Sequence, residues 1–382
     1  MRFARRTLLA PTAAALAAAG LGVTAYATAA PRTAPVVATA TAPDAVAASA
    51  AHPGRPGTPG KPLAGMRVLI SNDDGMQAAK PSHSDGLGLY ELRRALCAAG
   101  ADVVVMAPWQ VQSGRGTAVT NGGVLTAQQR TRLPEGYERD CAGAPSGGPV
   151  FGVCAADGPC GPDTPSATPA DTVKLALRGG LRAKAGWTRN PDVVLTGINS
   201  GPNVASSVND SGTVGAAVAA IDQGVPAVAL SAEGDAGNTY FPVSTYRRTA
   251  KFGARFLAGM RRQALLTGKF AVKIDYPDTT NGERTMPPVW TRVGDGAAVY
   301  HSYARKNGGD SFDITPGICA GGPRTGGECD ESRGDADQTW LLAKNHITVA
   351  PITWDRTYGT PVDGRPELRR LERYVRHGAP RS

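Results

Sequence analysis

The stretch 66–75, MRVLISNDDG, constrains the fold of this chain more than any other. Arg67 to Ser71 form a short run rich in Val, Leu and Ile, which is typical of a strand buried in a parallel sheet. Asp73 and Asp74 follow one residue after the run ends. Ligands of open α/β sheets bind outside the carboxyl ends of the strands. The pattern therefore predicts an α/β fold with two carboxylates at such a strand end.

Two adjacent carboxylates repel each other and lose hydration on burial, so they need a cation to compensate them. Mg²⁺ or Mn²⁺ suits this place, because both ions prefer oxygen ligands. The same residue types, Asn-Asp-Asp-Gly, are also common in polar turns that bind nothing. The stretch alone leaves a metal site and a plain turn equally open.

Further apolar runs predict strands that alternate with helices. Leu87–Ala98 has the spacing of an amphipathic helix, and Asp102–Met106 is a second buried strand, which completes a parallel strand–helix–strand unit. Thr168 and Pro169 have the residue types of an N-cap and a first helical position, and that helix is expected to end near Leu177. Later segments with these patterns are strands over 192–196, 226–231, 269–276 and 347–352, and helices over 214–223 and 245–265.

Three of the predicted strands are followed by polar loops that contain glycine. Asp73 and Asp74 follow the first strand, Ser113 follows the second, and Asn199 and Asn203 follow the third. Because the carboxyl ends of parallel strands meet at one edge of a sheet, these loops are expected to converge on a single oxygen-rich site.

A candidate anion site comes next along the chain. Ser211, Gly212 and Thr213 directly precede the predicted helix 214–223. The free N–H groups and the dipole at a helix N-terminus favour anions. The loops and this helix start together predict a cation and an anion bound side by side.

The motifs LISNDDG, APWQVQSG, TPADTVKLAL, LTGINSGPN and SGTVGAAVAA occur in this order, and the set resembles the SurE survival-protein family of metal-dependent 5'/3'-nucleotidases. Weaker similarity continues through KIDYPD, WTRVGD and NHITVAPI, so the resemblance covers roughly residues 66–355. It implies a Rossmann-like three-layer α/β fold with a mostly parallel sheet and C-terminal extension elements. It also implies a phosphomonoesterase that hydrolyses nucleoside 5'- and 3'-monophosphates, and a homodimer or homotetramer with exchanged C-terminal elements.

The resemblance implies two sets of site residues and one divalent ion, Mg²⁺ or Mn²⁺, per subunit. The metal ligands are Asp73, Asp74, Ser113 and Asn199, of which the two carboxylates are also the catalytic residues. The residues that bind phosphate are Asn203, Ser211, Gly212 and Thr213. In this reading a water activated by the metal attacks phosphorus.

Other chemistries remain open from the sequence. Asp73 or Asp74 as a covalent nucleophile is the nearest rival. A Ser–His–Asp hydrolase is less favoured, because none of the five histidines accompanies a G-x-S-x-G motif. The chain also fits an exported acid phosphatase or exopolyphosphatase, or a non-catalytic anion-binding protein.

Two features depart from the family pattern. The link between the carboxylate pair and the next helix is longer here, through Lys80–Asp85, and this insertion carries His83. Ala167 stands where the family usually has a glycine before the TPAD motif. These departures bear on substrate choice and on oligomer geometry more than on the chemistry.

The N-terminal composition predicts an exported protein. Residues 1–30 have the basic start, apolar centre and small-residue end of a signal peptide, and Arg5-Arg6 suggests the twin-arginine route. Residues 31–65 are rich in Ala, Pro and Thr, which predicts a disordered linker. Residues 66–382 then form a single phosphatase domain, secreted and free of the membrane after cleavage of the signal.

Six cysteines in an exported chain predict disulfides. A zinc site is the competitor, but neither a C-x-x-C motif nor a paired His spacing supports it. The expected pairs are Cys154–Cys160, Cys319–Cys329 and Cys97–Cys141, with disulfide loops at about 141–165 and 303–337. The formal net charge is +9 without any nucleic-acid-binding motif, so a duplex is not an expected partner.

Overall fold

The computed structural model describes residues 61–77, 86–235, 240–294, 296–297, 299–318, 336–355 and 366–377. These residues belong to one compact unit, Ala51–Ser382. None of the described helices is long and apolar enough to cross a membrane. The predicted signal peptide, the predicted linker up to residue 60, the Lys80–Asp85 insertion with His83, and the Cys319–Cys329 pair lie outside the described residues.

Nine of the eleven described strands form one sheet, in which most neighbouring strands are parallel. The strands are β1 (Arg67–Ser71), β2 (Asp102–Pro108), β3 (Thr126–Gln129), β4 (Val150–Cys154), β5 (Val193–Ser200), β6 (Ala227–Ala232), β7 (Ala271–Tyr276), β8 (Met286–Trp290), β9 (Val299–Arg305), β10 (Phe312–Ile318) and β11 (His346–Ile352). The order in the sheet is β3-β4-β2-β1-β5-β6-β7-β11-β8. Only β3 with β4 and β11 with β7 are antiparallel in it, while β9 and β10 form a separate hairpin.

Helices cover both faces of this sheet. They are α1 (Leu87–Ala98), α2 (Pro169–Leu175), α3 (Leu181–Ala185), α4 (Ser207–Asp210), α5 (Gly212–Ile221), α6 (Val243–Arg262), α7 (Asp337–Leu342) and α8 (Pro366–His377). Successive strand residues point to opposite faces, so Val68 and Ile70 pack with α1 and α6, and Leu69 packs with α2 and α5. The three-layer, mostly parallel α/β fold predicted from the sequence is confirmed.

Several element boundaries differ from the predictions. The third predicted strand continues as β5 to Ser200, so that Asn199 lies in the strand and not in the loop after it. The helix at Pro169 ends at Leu175, and the chain kinks at Gly179, whose φ of 151° is not helical, before α3 begins. Part of the predicted insertion 303–337 is the hairpin formed by β9 and β10. Strand β8 was not predicted, because its sequence MPPVW has no strand pattern.

The start of α2 has the N-cap that its residue types predict. Thr168 is the N-cap of α2: its Oγ1 accepts a hydrogen bond from Asp171 N at 3.1 Å, and its own N donates to Asp171 Oδ2 at 3.3 Å. The reciprocal pair is a capping box, which satisfies two of the N–H groups that a helix start leaves free. The N-cap prediction for Thr168 is therefore confirmed.

Two of the three expected disulfides lie within the described residues. Cys97–Cys141 joins α1 to the loop before β4 with a Cα–Cα distance of 5.3 Å, and Cys154–Cys160 closes a short loop with a distance of 5.8 Å. Both distances are ordinary for disulfides. The first closes a loop of 44 residues. A loop of that length restricts the unfolded chain by about 4 kcal/mol in the chain-entropy model, so this disulfide stabilises the fold more than the short one does.

A fully buried ion network joins β7 to α7. Lys273 Nζ contacts a carboxylate oxygen of Asp275 and lies 2.8 Å from Asp337 Oδ2, and all three side chains are 0% exposed. Asp275 Oδ1 also accepts a hydrogen bond from the backbone N of Asn203 at 2.7 Å. Since neither carboxylate reaches water, Lys273 is the cation that compensates them.

We expect Lys273→Met to lower the free energy of unfolding by about 3–5 kcal/mol, because it leaves two buried carboxylates without a cation. The matched control is Lys174→Met, which removes the exposed Lys174–Asp222 pair at 2.8 Å. An exposed pair contributes about 0–1 kcal/mol, so the control should unfold nearly as the unmodified protein does. Urea unfolding followed by circular dichroism measures both variants. Equal, small losses would show that the buried network does not stabilise the fold.

Candidate metal and phosphate site

The two neighbouring carboxylates lie at the carboxyl end of β1, between β2 and β5. Asp73 is 3% exposed and Asp74 is 4% exposed. Burial of this kind removes hydration from the charged form of a carboxylate, so each must find donors in the protein or a cation. The donors come from segments that are distant in the sequence.

Asp73 receives its donors from the first turn of α5. Thr213 Oγ1 donates to Asp73 Oδ1 at 2.5 Å. Burial raises the pKa of Asp73, and the side chain of Thr213 and the backbone N–H groups of Thr213 and Gly212 oppose this rise by hydrogen bonding to the carboxylate. Ser211 is the N-cap of this helix and accepts from Val214 N at 3.0 Å. The helix start that was predicted to bind an anion therefore holds the side-chain anion Asp73.

Gly212 permits this close approach of α5 to β1. A Cβ atom at position 212 would lie 2.7 Å from the Cβ atom of Asp73 and 3.0 Å from its Oδ2, and 2.9 Å from Pro169 Cγ. Cβ atoms in proteins essentially never come closer than 3.0 Å to such neighbours, so a side chain at position 212 requires the helix or Asp73 to move. The structure thus brings Asp73 of the predicted metal set together with Ser211, Gly212 and Thr213 of the predicted phosphate set.

Asp74 is fixed from the opposite side. Its Oδ2 accepts hydrogen bonds from Ser200 N at 2.9 Å and from Ser200 Oγ at 3.0 Å. Ser200 Oγ in turn lies 2.7 Å from the hydroxyl of Tyr246, a fully buried residue of α6. Neither Ser200 nor Tyr246 was predicted from the sequence. Ser200 lies within the quoted motif LTGINSGPN, which is a usable signal, whereas nothing in the sequence marks Tyr246.

The loop that carries Ser113 is anchored on both sides of this residue. Gln112 N donates to the backbone oxygen of Asp73 at 2.6 Å, and Gly116 N donates to the backbone oxygen of Asp210 at 2.9 Å. A Cβ atom at Gly215 would lie 1.8 Å from the oxygen of Gly116, so this loop also contacts α5 closely. Ser113 is exposed between these anchors. The loop lies beside Asp73, and the Ser113 hydroxyl faces solvent.

Both predicted asparagines are buried and held through their nitrogen atoms. Asn199 Nδ2 donates to the oxygen of Gly201 at 2.7 Å. Asn203 Nδ2 donates to Ser231 Oγ at 2.9 Å, and the backbone N of Asn203 donates to Asp275 Oδ1 at 2.7 Å. Within the described part of the chain no donor reaches the side-chain oxygen of either asparagine. An amide oxygen left in this way is a suitable ligand for a hard cation or a donor-rich group.

The residues present fit a hard divalent ion. The candidate ligands offer carboxylate, amide and hydroxyl oxygens, the donor types that Mg²⁺ and Mn²⁺ take, and no imidazole or thiolate, which zinc prefers. The side-chain oxygen of Asn72, directly before Asp73, is buried without a hydrogen-bond partner. A buried oxygen without a donor is costly, and a nearby cation or an ordered water that a cation holds relieves that cost.

A further carboxyl group at this edge of the sheet was not predicted from the sequence. Glu233 directly follows β6, and its Oε2 accepts a hydrogen bond from Asp278 N at 2.9 Å. Burial raises the pKa of Glu233 to about 7, and the negative charges of Asp278 and Asp275 contribute to the rise. Glu233 is therefore largely neutral in mildly acidic solution and adds negative charge beside the end of β7 in alkaline solution.

These features define a class: Rossmann-like α/β proteins whose sheet edge carries buried carboxylates beside a helix N-terminus. The family model described as "Survival protein SurE" matches residues 68–298. This chain belongs to the SurE family, and the resemblance seen in its motifs is confirmed.

Individual relatives agree with this assignment. A 5'-nucleotidase SurE of Solidesulfovibrio magneticus is 32% identical over 297 residues, which cover 76% of this chain and 92% of the relative. A 5'-nucleotidase SurE of Thermosynechococcus vestitus is 29% identical over 301 residues, or 78% of this chain and 94% of the relative. The crystal structure of the SurE protein from Aquifex aeolicus has a TM-score of 0.53 at 22% identity, covers 81% of this chain and 99% of its own, and shares the fold.

We expect Gly212→Ala to weaken Mn²⁺ binding by about 10–100-fold, the loss typical when a group that orients a metal ligand is disturbed. The added methyl group displaces Asp73 or α5. The measurement is a Mn²⁺ titration followed by electron paramagnetic resonance.

The control for this variant is Gly259→Ala in α6, where no atom lies within 4 Å of the added Cβ. Alanine is favoured over glycine in a helix by up to about 1 kcal/mol, so this variant should keep its Mn²⁺ affinity and gain stability. Unchanged Mn²⁺ affinity in Gly212→Ala would separate the start of α5 from the metal site.

Proposed function

We propose that this protein is a metal-dependent nucleotidase that hydrolyses nucleoside 5'- and 3'-monophosphates to nucleoside and phosphate. The observation that carries the proposal is the pair of buried carboxylates at one edge of a parallel sheet, of which Asp73 is bound by the first turn of α5. Relatives named 5'-nucleotidase SurE support the choice of a nucleotide phosphate as substrate.

The proposed metal ligands are Asp73, Asp74, Ser113 and Asn199. A bound Mg²⁺ or Mn²⁺ supplies a Lewis acid for the phosphoryl oxygens and lowers the pKa of water. Asp73 and Asp74 are already oriented by donors from α5 and from Ser200, so little reorganisation is needed before reaction. Ser113 is exposed on its anchored loop, and its hydroxyl is available to a ligand that enters from solvent.

The proposed phosphate-binding residues are Asn203, Ser211, Gly212 and Thr213. The start of α5 has a positive dipole end, which stabilises negative charge as it develops on the phosphoryl group. Asn203 is held by Asp275 and by Ser231, so its amide has a fixed position beside β5. In this proposal the chain binds and orients the phosphoryl group and stabilises its charge, and no side chain forms a bond to phosphorus.

The proposal is tested by hydrolysis of a panel of 5'- and 3'-nucleotides, an aryl phosphate and polyphosphate, with and without a chelator. Asp73→Asn should lower the rate at least about 10²–10³-fold, the loss seen when a preorganised electrostatic group is removed. The control is Asp222→Asn, which changes an exposed carboxylate of a surface ion pair. Both variants should remain folded, with the unfolding midpoint of the unmodified protein.

Three results of this experiment have different meanings. Full activity of Asp73→Asn, or activity that a chelator leaves intact, contradicts the proposal. Preference for the aryl phosphate or polyphosphate over every nucleotide favours an acid phosphatase or exopolyphosphatase. A phosphorylated Asp73 or Asp74, trapped during turnover, favours the covalent route instead of attack by water.

We also propose that the protein is secreted and assembles into a homodimer or homotetramer. Disulfides such as Cys97–Cys141 persist in oxidising compartments, which supports export. Exposed apolar side chains on the β9–β10 hairpin, Tyr303 at 64% and Ile314 at 63%, support an assembly.

One preparation tests both statements. Protein collected from the culture medium should begin after the predicted signal, near residue 31, and light scattering should give two or four times the chain mass. Full-length protein confined to cells would contradict export, and a monomeric mass would contradict the assembly.

A further inference from the structure

A cavity lined by arginine lies apart from the carboxylates described above. Its volume is about 610 Å³, and it lies between α1, the end of β3 and the start of β4. Three arginines, Arg93, Arg130 and Arg132, and one carboxylate, Glu138, line it. A space of this size is typical of small-molecule sites.

Arg93 brings a buried charge to this cavity. It is 1% exposed, and it donates from Nε to the oxygen of Gly148 at 2.9 Å and from Nη1 to the oxygen of Tyr137 at 3.1 Å. The carboxylate whose charge acts on Arg93 is that of Asp140, which is itself bound by Arg94 Nε at 3.1 Å. Among the described residues no carboxylate lies within ion-pair distance of Arg93. Its charge is therefore held in place by neutral groups.

Arg130 is held in the same way. Its Nε donates to the oxygen of Arg132 at 2.8 Å, and its Nη1 donates to the oxygen of Met76 at 3.0 Å and to Gln77 Oε1 at 2.8 Å. All of these acceptors are neutral. Carbonyl oxygens orient a guanidinium group without cancelling its charge, so Arg93 and Arg130 form a preorganised pair of cations.

We propose that this cavity is a second anion site, which binds an oxyanion of the phosphate class. A guanidinium offers parallel N–H donors that match two oxygens of such an anion. A buried cation without a counter-ion is costly, and an anion in the cavity removes that cost. Glu138 does not fill this role, because it is exposed and its Oε2 accepts from Gly136 N at 2.9 Å.

The position of the cavity connects it with the carboxylate loop. Met76 lies two residues after Asp74, and its oxygen accepts from the Tyr90 hydroxyl at 2.7 Å as well as from Arg130. An anion bound by Arg130 therefore lies beside the segment that follows Asp73 and Asp74. The proposed second site goes beyond the proposed hydrolysis and does not depend on it.

The test is a calorimetric titration of the full-length protein with inorganic phosphate in the presence of a chelator. Without metal, Asp73 and Asp74 repel phosphate from the candidate metal site, so the arginine cavity should give the observed binding. The double variant Arg130→Gln/Arg132→Gln should weaken this binding at least about 10-fold, because two charge-assisted contacts are lost. The control Arg178→Gln changes an exposed arginine that also bonds a neutral group, Gln223 Oε1, at 2.6 Å, and should bind phosphate unchanged.

Arg132→Gln alone provides a variant that is safe for folding, because Arg132 is exposed and, among the described residues, only its backbone oxygen accepts a hydrogen bond. This variant should show a smaller loss than the double variant. A nucleoside monophosphate used in place of phosphate tests whether the cavity also accommodates a nucleoside, and tighter binding than phosphate, lost in the double variant, supports the site equally.

Absence of metal-free phosphate binding, or binding that the arginine variants leave unchanged, would overturn the second site. That failure is distinct from failure of the proposed function, since hydrolysis depends on metal and on Asp73, and this titration depends on neither.

Discussion

The carboxylate of Asp73, buried against the first turn of α5, is the contact on which the candidate site depends. An ionised carboxylate loses its hydration in such a place, so the chain has to supply donors, and it does so from Gly212 and Thr213. The backbone oxygen of Asp73 accepts a hydrogen bond from the backbone N of Gln112, and this bond fixes the loop that carries Ser113 beside Asp73. Three segments far apart in the sequence therefore meet at Asp73, α5 at its carboxylate and the Ser113 loop at its backbone oxygen.

A second buried charge acts from the other side of the site. Asp275 lies on β7, where its carboxylate is compensated by Lys273 and accepts from the backbone N of Asn203. Asp337 shares the same lysine and accepts from the backbone N of Ala205 at 3.1 Å. The loop after β5 is thus bound at two backbone positions by carboxylates that cannot move without exposing an unpaired charge. Together with the burial of Val204 and Ala205 against Leu341, these two contacts hold Asn203 in a defined position.

The sequence predicted what depends on local pattern or on the general geometry of parallel sheets. Most strands of the sheet and the cap at Thr168 follow from local pattern. The approach of Asp73 to Gly212 follows from sheet geometry, because the carboxyl ends of parallel strands must meet. The sequence did not predict the contact of Asp74 with Ser200, the hydroxyl of Tyr246 and the Lys273 network. Asp74 and Ser200 are separated by 126 residues, and such side-chain pairs leave no periodic trace in one sequence. The extension of β5 through Asn199 was also missed, since Gly197 interrupts the apolar run that marks the strand.

The carboxylate site and the arginine cavity carry opposite charges, so they favour opposite ions. At the end of β1 the carboxylate of Asp73 is oriented by neutral donors, so its charge favours a cation. In the cavity beside α1 two guanidinium groups are oriented by neutral acceptors, so their charge favours an anion. The short segment of Met76 and Gln77 separates the two, and Arg130 binds it from the cavity side. A cation at the carboxylates and an anion at the arginines therefore occupy opposite sides of one short segment of the chain.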